Sequence, residues 1–309
     1  MMVSRQSCFF GMICGYDQAL NNKVGLPIEL SEFLFTPSFV QLSLHSRAKL
    51  NNGVEMPRLG LGVYQSPIGE KTLRSVRYAL KVGYRHIDTA SLYGNEGDVG
   101  KVVQECEIPR EEIFITTKVW NTDQGYDTTL RACERSLRRL GLPYIDLYLI
   151  HWPVEGMGKD TWKAMIQLLR SGKAKAIGVS NYDVFQLQEI LENFDVAPSV
   201  NQVEFHPFLF QEQLLQFCND NSIRLEAYSP LTRGNKLNHP SLIALEEKYS
   251  KTSAQILIRW SLQHNLVVIP KSTHENRIKE NSKVFDFHID ERDMKLLDSL
   301  NEDFHTVFL

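Results

Sequence analysis

From residue 41 onward the chain alternates short β-rich runs with amphipathic helical stretches, and this alternation restricts its fold more than any other property of the sequence. The β-rich runs are RLGLG, RHID, IFITTK, IDLYLIH, AKAIGVS, SVNQVEF, IRLEAYS and LVVIPK. Between them lie EKTLRSVRYALK, TTLRACERSLRRL, TWKAMIQLLRS, VFQLQEILENF and QEQLLQFCND. Strand candidates separated by helices imply right-handed β-α-β units and a parallel sheet. Eight such units suit a closed (β/α)8 barrel better than an open doubly wound sheet. Further helices are expected from Pro240 to His264 and from Asp290 to Leu300. Ahead of the first unit, LSLHSRAKL-NNG-VEM reads as a β-hairpin with Asn-Gly at its turn.

With 43% hydrophobic and 23% charged residues over 309 positions, the chain is globular and long enough for a large core. A net charge of -3 gives no broad attraction to nucleic acid or to an anionic membrane, so any phosphate site must be local. Five scattered cysteines without CxxC spacing read as reduced thiols, not as a disulfide framework or a zinc site. No apolar run approaches transmembrane length. These properties lead us to expect a monomeric cytoplasmic protein. Residues 1–40 are different: apolar patches such as CFFGMIC and EFLFTPSFV are mixed with Asn, Gly and Pro and keep no period. Asp17, Glu29 and Glu32 argue against a transit peptide, and no small-x-small cleavage site follows the apolar patch. This extension is expected to be disordered or to stand outside a barrel formed by residues 41–309.

Polar residues that interrupt apolar runs are the candidates for chemistry. Asp88, Lys118 and His151 each sit where such a run stops, in GYRHIDTASLYGNE, IFITTKVW and YLIHWP, and Tyr93 follows on the loop after Asp88. In a parallel barrel these are carboxyl-terminal strand ends, the rim on which active sites are built. Taken singly, each also suits a structural role: a rim ion pair for Asp88 and Lys118, a loop aromatic for Tyr93, a strand cap for His151. His86, two residues before Asp88, forms an HxD pair, but no further ligands follow at suitable strand ends, so packing is expected and no metal. The first strand carries Gly60 and Gly62 without the third glycine of GxGxxG, which leaves a Rossmann domain unsupported. The two glycines are expected to let a tight turn approach the barrel mouth.

The spans LNNGVEMPRLGLGVY, GYRHIDTASLYGNE, ITTKVWN, DLYLIHWP, IGVSNY, NQVEFHP, AYSPL and IPKSTHENRIKEN together resemble the aldo-keto reductase family, in the family's order. The resemblance implies a (β/α)8 barrel that binds NADP(H) without a Rossmann domain and a catalytic tetrad of Asp88, Tyr93, Lys118 and His151. Its chemistry is coherent. Hydride addition to a carbonyl leaves an alkoxide that needs a proton, and Tyr93 can donate it. Lys118 would draw the phenol toward working pH, Asp88 would keep Lys118 charged, and a neutral His151 would orient the substrate oxygen.

The same resemblance implies the cofactor positions. Lys271, Ser272, Thr273 and Arg277 match the 2'-phosphate pocket, where hydroxyls, cations and the start of a helix suit a phosphate monoester. Glu280 and Asn281 match the adenine side. Ser180, Asn181 and Gln202 match residues holding the carboxamide, Tyr228 the aromatic that stacks on nicotinamide, and Ser229 and Leu231 the loop over the pyrophosphate. Tyr64, Trp120 and Trp152 are expected at an apolar substrate mouth, although core packing suits them equally. The short segment after His151 and the early chain end point to an open pocket for small aldehydes or dicarbonyls. The expected function is NADPH-dependent carbonyl reduction. Two alternatives stay open: a non-catalytic NADP(H)-binding accessory or structural protein on the same barrel, and a Schiff-base lyase using Lys118 or Lys271.

Overall fold

The computed structural model of the protein describes residues 42–307. A hairpin comes first, β1 (Arg47–Lys49) paired antiparallel with β2 (Glu55–Pro57). The barrel strands follow: β3 (Leu61–Gly62), β4 (His86–Asp88), β5 (Phe114–Val119), β6 (Ile145–Ile150), β7 (Ala174–Ser180), β8 (Val200–Glu204), β9 (Arg224–Tyr228) and β10 (Val267–Val268). They pair in sequence order and in parallel, as the alternation requires. The ring closes between its first and last strands through the parallel bridges Leu59↔Val268 and Gly62↔Lys271.

Helices cover the outside: α1 (Glu70–Val82), α2 (Glu96–Glu105), α3 (Tyr126–Leu140), α4 (Gly158–Arg170), α5 (Val184–Asn193), α6 (Glu212–Asp220), α7 (Pro240–Tyr249), α8 (Ser253–Gln263), α9 (Glu275–Asn281) and α10 (Glu291–Asp298). The inward stripe of α3 is Thr129, Ala132, Cys133, Ser136, Leu137 and Leu140, the three-and-four spacing of one helical face, and Gly141 at φ 62° ends the helix. The additional helices α7, α8 and α10 fall where the sequence places them.

Alternate residues of one strand serve two cores. In β6, Tyr148 and Ile150 pack outward against the helices, whereas Leu147 and Leu149 join an inner cluster with Phe114, Ala176, Val200 and Val267. Ala48, Leu50 and Met56 of the hairpin belong to that inner cluster, so the hairpin floors the barrel. Asn52 and Gly53 fall in its turn as expected, within five residues that join β1 to β2, with Gly53 at φ 88° and its N–H donating to Leu50 O at 2.9 Å. The asparagine side chains also bind outward: Asn51 Nδ2 donates to Pro198 O and Asn52 Nδ2 to Lys175 O, both at 2.9 Å, which anchors the floor to its neighbours.

Gly60 and Gly62 stand where there is no room for a side chain. A Cβ on Gly60 would meet His86 Nδ1 at 2.5 Å, and one on Gly62 would meet Ile269 O at 2.9 Å. Among the described residues no helix is long and apolar enough to cross a membrane. The expectation for residues 1–40 lies outside the described residues.

Candidate active site

Asp88 ends β4, Lys118 lies one residue before the end of β5, and His151 directly follows β6. Tyr93 closes a 3-10 turn, Ser91–Tyr93, which Gly94 leaves at φ 70°. The loop carrying it is tied down from both sides. Thr89 Oγ1 donates to Asn95 Oδ1 at 2.7 Å, Asn95 Nδ2 donates to Val63 O at 2.9 Å, and Ser91 Oγ donates to Lys118 O at 2.9 Å. Glu96 accepts from Thr117 Oγ1 at 2.7 Å and pairs with Arg139 at 2.9 Å. Asn95 and Glu96 were not singled out from the sequence, yet they hold the tyrosine loop in place.

Lys118 is fully buried. Its three N–H groups reach Asp88 Oδ1 at 2.7 Å, Asp88 Oδ2 at 2.8 Å and Thr89 O at 2.9 Å. The ammonium stands 5.2 Å from the Tyr93 ring centroid. The Tyr93 phenol is pushed well above its usual 10, first by burial and then by the Asp88 carboxylate. Burial and Asp88, not the expected draw of Lys118, dominate the position of the phenol. Burial, then the Lys118 charge, hold the His151 imidazole down at about 2, so it is neutral at pH 7. Its ring meets Tyr93 edge-on at 5.6 Å and Trp120 edge-on at 5.1 Å.

Tyr93 and His151 open into a cavity of about 830 Å³ that the other expected positions also line. Tyr64, Trp120 and Trp152 are in its wall, and Tyr64 packs on Tyr93 with 4.9 Å between centroids. Ser180, Asn181, Gln202 and Tyr228 form one network within it. Asn181, at φ 64°, donates to His151 O and to Ser180 Oγ at 3.0 Å each and accepts from Tyr228 OH at 2.8 Å. Ser180 Oγ donates to Gln202 O at 2.8 Å. Gln202 Nε2 donates to Asp88 Oδ2 and to Glu226 Oε2, both at 2.8 Å, while Gln202 Oε1 takes no hydrogen bond among the described residues. Ser229, at φ 48°, and Leu231 line the cavity on the loop after β9.

Lys271, Ser272, Thr273, Arg277, Glu280 and Asn281 line the same cavity. Burial and the neighbouring cations Lys71 and Arg233 push Lys271 down from its ordinary value. Among the described residues neither Lys271 nor Arg277 has a carboxylate within ion-pair distance. Helix α9 has seven residues, and Ser272 Oγ accepts from His274 N at 3.1 Å. Glu280 accepts from Thr252 Oγ1 at 3.0 Å.

The tail residues Thr306 and Val307 lie beside the cavity. Glu204 takes the backbone N–H of Thr306 at 2.9 Å and that of Val307 at 3.3 Å, and Val307 lines the cavity. Arg233, also unnoticed in the sequence, donates to Thr306 O at 3.2 Å and to Gln65, linking the tail to loops on two sides of the cavity.

Comparison with known proteins gives a consistent set of matches. The sequence model of the Aldo/keto reductase family matches residues 58–302. Glyoxal reductase of Bacillus subtilis is 52% identical over 261 residues, covering 84% of this chain and 95% of its own. An aldo-keto reductase from a Medee basin deep-sea metagenome superposes with a TM-score of 0.82 at 47% identity, over 85% of this chain and 97% of its own. The Bombyx mori aldo-keto reductase in complex with NADP superposes with a TM-score of 0.80 at 34% identity, over 85% of this chain and 95% of its own.

Proposed function

The chain belongs to the aldo/keto reductase family, and from that premise we propose that it reduces small aldehydes and dicarbonyls to alcohols with NADPH, using Tyr93 as the proton donor. The observation that carries this reading is the single cavity whose wall contains both Tyr93 with neutral His151 and the acid-free cations Lys271 and Arg277. A carbonyl reductase needs a proton donor, and a 2'-phosphorylated dinucleotide needs unpaired cations within reach of the same space. The small-dicarbonyl class is supported by the likeness to glyoxal reductase.

The residues present fit such a cofactor. Gln202 Oε1, an acceptor without a partner among the described residues, suits a carboxamide N–H, and Ser180, Asn181 and Tyr228 surround it in one network. Ser229 and Leu231 would follow the pyrophosphate, Lys271, Ser272, Thr273 and Arg277 the 2'-phosphate, and Glu280 and Asn281 the adenine. When bound, NADPH supplies the hydride.

The protein's own part is proton delivery and orientation. Tyr93 holds its proton at neutral pH, because burial and Asp88 disfavour the phenolate, and releases it as negative charge develops on the substrate oxygen. Neutral His151 donates an N–H to that oxygen without adding a second charge. The Asp88–Lys118 pair fixes an ammonium behind the phenol, and its field favours the phenolate formed on proton release. Tyr64, Trp120 and Trp152 exclude water from the reacting atoms.

Tyr93→Phe tests the assignment. The ring stays and only the acid is lost, so kcat for a small dicarbonyl should fall by about 10²-fold or more while NADPH affinity from fluorescence titration stays within about twofold. Wild-type turnover in this variant would remove Tyr93 as the acid.

A further inference from the structure

Below the Asp88–Lys118 pair lies a second carboxyl group. Glu226, in the middle of β9, is fully buried, as is His86 on β4. Glu226 Oε2 accepts from Gln202 Nε2 at 2.8 Å, and the other hydrogen of that amide goes to Asp88 Oδ2, also at 2.8 Å. Glu226 Oε1 has no hydrogen bond and faces His86 Nε2 at 3.7 Å, while that nitrogen lies 3.0 Å from Thr116 Oγ1.

This arrangement determines which way the Gln202 amide points. Asp88 is acceptor-only while it is paired with Lys118, so an amide turned the other way would set its oxygen against the Asp88 carboxylate. With both N–H groups used, Oε1 is the one polar atom of the side chain left to a ligand. Burying a carboxyl group here without a second role would be costly. We propose that Glu226 is a positioning residue: together with Asp88 it clamps the Gln202 amide so that its carbonyl oxygen is held toward the cavity as a fixed acceptor for a carboxamide N–H. The inference rests on the reading that the cavity takes a nicotinamide cofactor.

The groups around Glu226 are consistent with a neutral clamp. Burial, and then the Asp88 charge, push its carboxyl up to about 8 against the pull of Gln202 and Lys118. Burial and Lys118 hold His86 down at about 3, so it adds no charge. The groups facing Glu226 are His86 and Asp88 from β4, Lys118 from β5 and Gln202 from β8, and of these Asp88 and Lys118 are hydrogen-bonded to each other as a pair. A protonated Glu226 therefore takes the Gln202 N–H without competing with Asp88 for Lys118.

The test compares binding of NADP+ with that of its 3-acetylpyridine analogue, in which a methyl ketone replaces the carboxamide and no N–H is available. Dissociation constants come from quenching of tryptophan fluorescence, so turnover is not needed. Glu226→Leu, and the milder Glu226→Thr that keeps a strand-forming residue, should weaken NADP+ by about tenfold, the scale of one well-placed hydrogen bond. Both should change the analogue by less than about twofold. Glu226→Gln, whose side-chain oxygen can accept the same N–H, should keep the wild-type ratio.

Equal losses for both ligands would overturn the inference. So would wild-type NADP+ affinity in the Leu and Thr variants, or a Gln variant as impaired as Leu. Failure of both the Leu and Thr variants to fold, read by circular dichroism, would make Glu226 a stability residue and would overturn it too. Wild-type protein that binds neither dinucleotide would instead sink the proposed function, and this inference with it.

Discussion

Burial and the Asp88 carboxylate push the Tyr93 phenol well above 10, and the sign of that shift separates the two directions of the reaction. Reduction uses the protonated phenol, the form that the raised pKa preserves through neutral and mildly alkaline pH. Alcohol oxidation needs the phenolate, which is scarce until the pH approaches the raised value. The rate of alcohol oxidation should therefore climb by about tenfold per pH unit from neutrality, with no plateau below about pH 10. A plateau near pH 7 in steady-state oxidation would mean that Lys118 governs the phenol after all. Asp88, Lys118 and His151 stood out because each ends an apolar run, and Tyr93 because it follows on the loop after Asp88. Glu226 was not. In IRLEAYS it stands between Leu225 and Ala227, where alternation predicts a face but not whether that face is solvent or barrel interior. Only the pairing of Glu226 with Gln202 across β8 and β9 shows that it points inward beside Asp88.

The loop between β4 and α2 shows how an element can be readable while its supports are not. GYRHIDTASLYGNE marks the loop and its tyrosine, yet what holds it is Asn95, buried between Thr89 Oγ1 and Val63 O. Asn95→Ala leaves that hydroxyl and that carbonyl unpaired in a buried place, which costs about 1–3 kcal/mol. In a chain of this size a melting temperature lower by about 2–5 °C is expected. Because the loop carries Tyr93, kcat should fall more than KM rises. A drop in stability with kcat unchanged would show that the loop keeps its geometry without Asn95. The edges of other elements were harder to read. RLGLG and LVVIPK each look like a full strand, but the assigned ladders cover only Leu61–Gly62 and Val267–Val268. At the seam the chains meet through isolated bridges, and hydrophobic runs do not record where a ladder stops. The Asn-Gly of the hairpin does fall in its turn, but the anchors of that turn were not readable: Asn51 and Asn52 serve distant carbonyls that a local turn rule cannot see.

At the scale of the whole molecule, barrel closure puts the floor and the candidate site at opposite ends. The hairpin seals the amino-terminal end with Ala48, Leu50 and Met56. At the other rim Glu204 and Arg233 hold the tail residues Thr306 and Val307 beside the cavity. The family match occupies residues 58–302, and glyoxal reductase of Bacillus subtilis uses 95% of its own length in matching 84% of this chain. A relative can thus be nearly complete while about a sixth of this chain has no counterpart in it. Residues 1–40 keep no hydrophobic period, and we propose that they lie outside a catalytic body formed by 41–309. Deleting them should shift the melting temperature by less than about 2 °C and change kcat/KM and NADPH affinity by less than about twofold. Their apolar patches, CFFGMIC and EFLFTPSFV, give the opposite outcome physical content, because such patches can cover a surface or join two copies. A fall of 10 °C or so, or a change in sedimentation after truncation, would place residues 1–40 within the folded or assembled protein and move the domain boundary upstream.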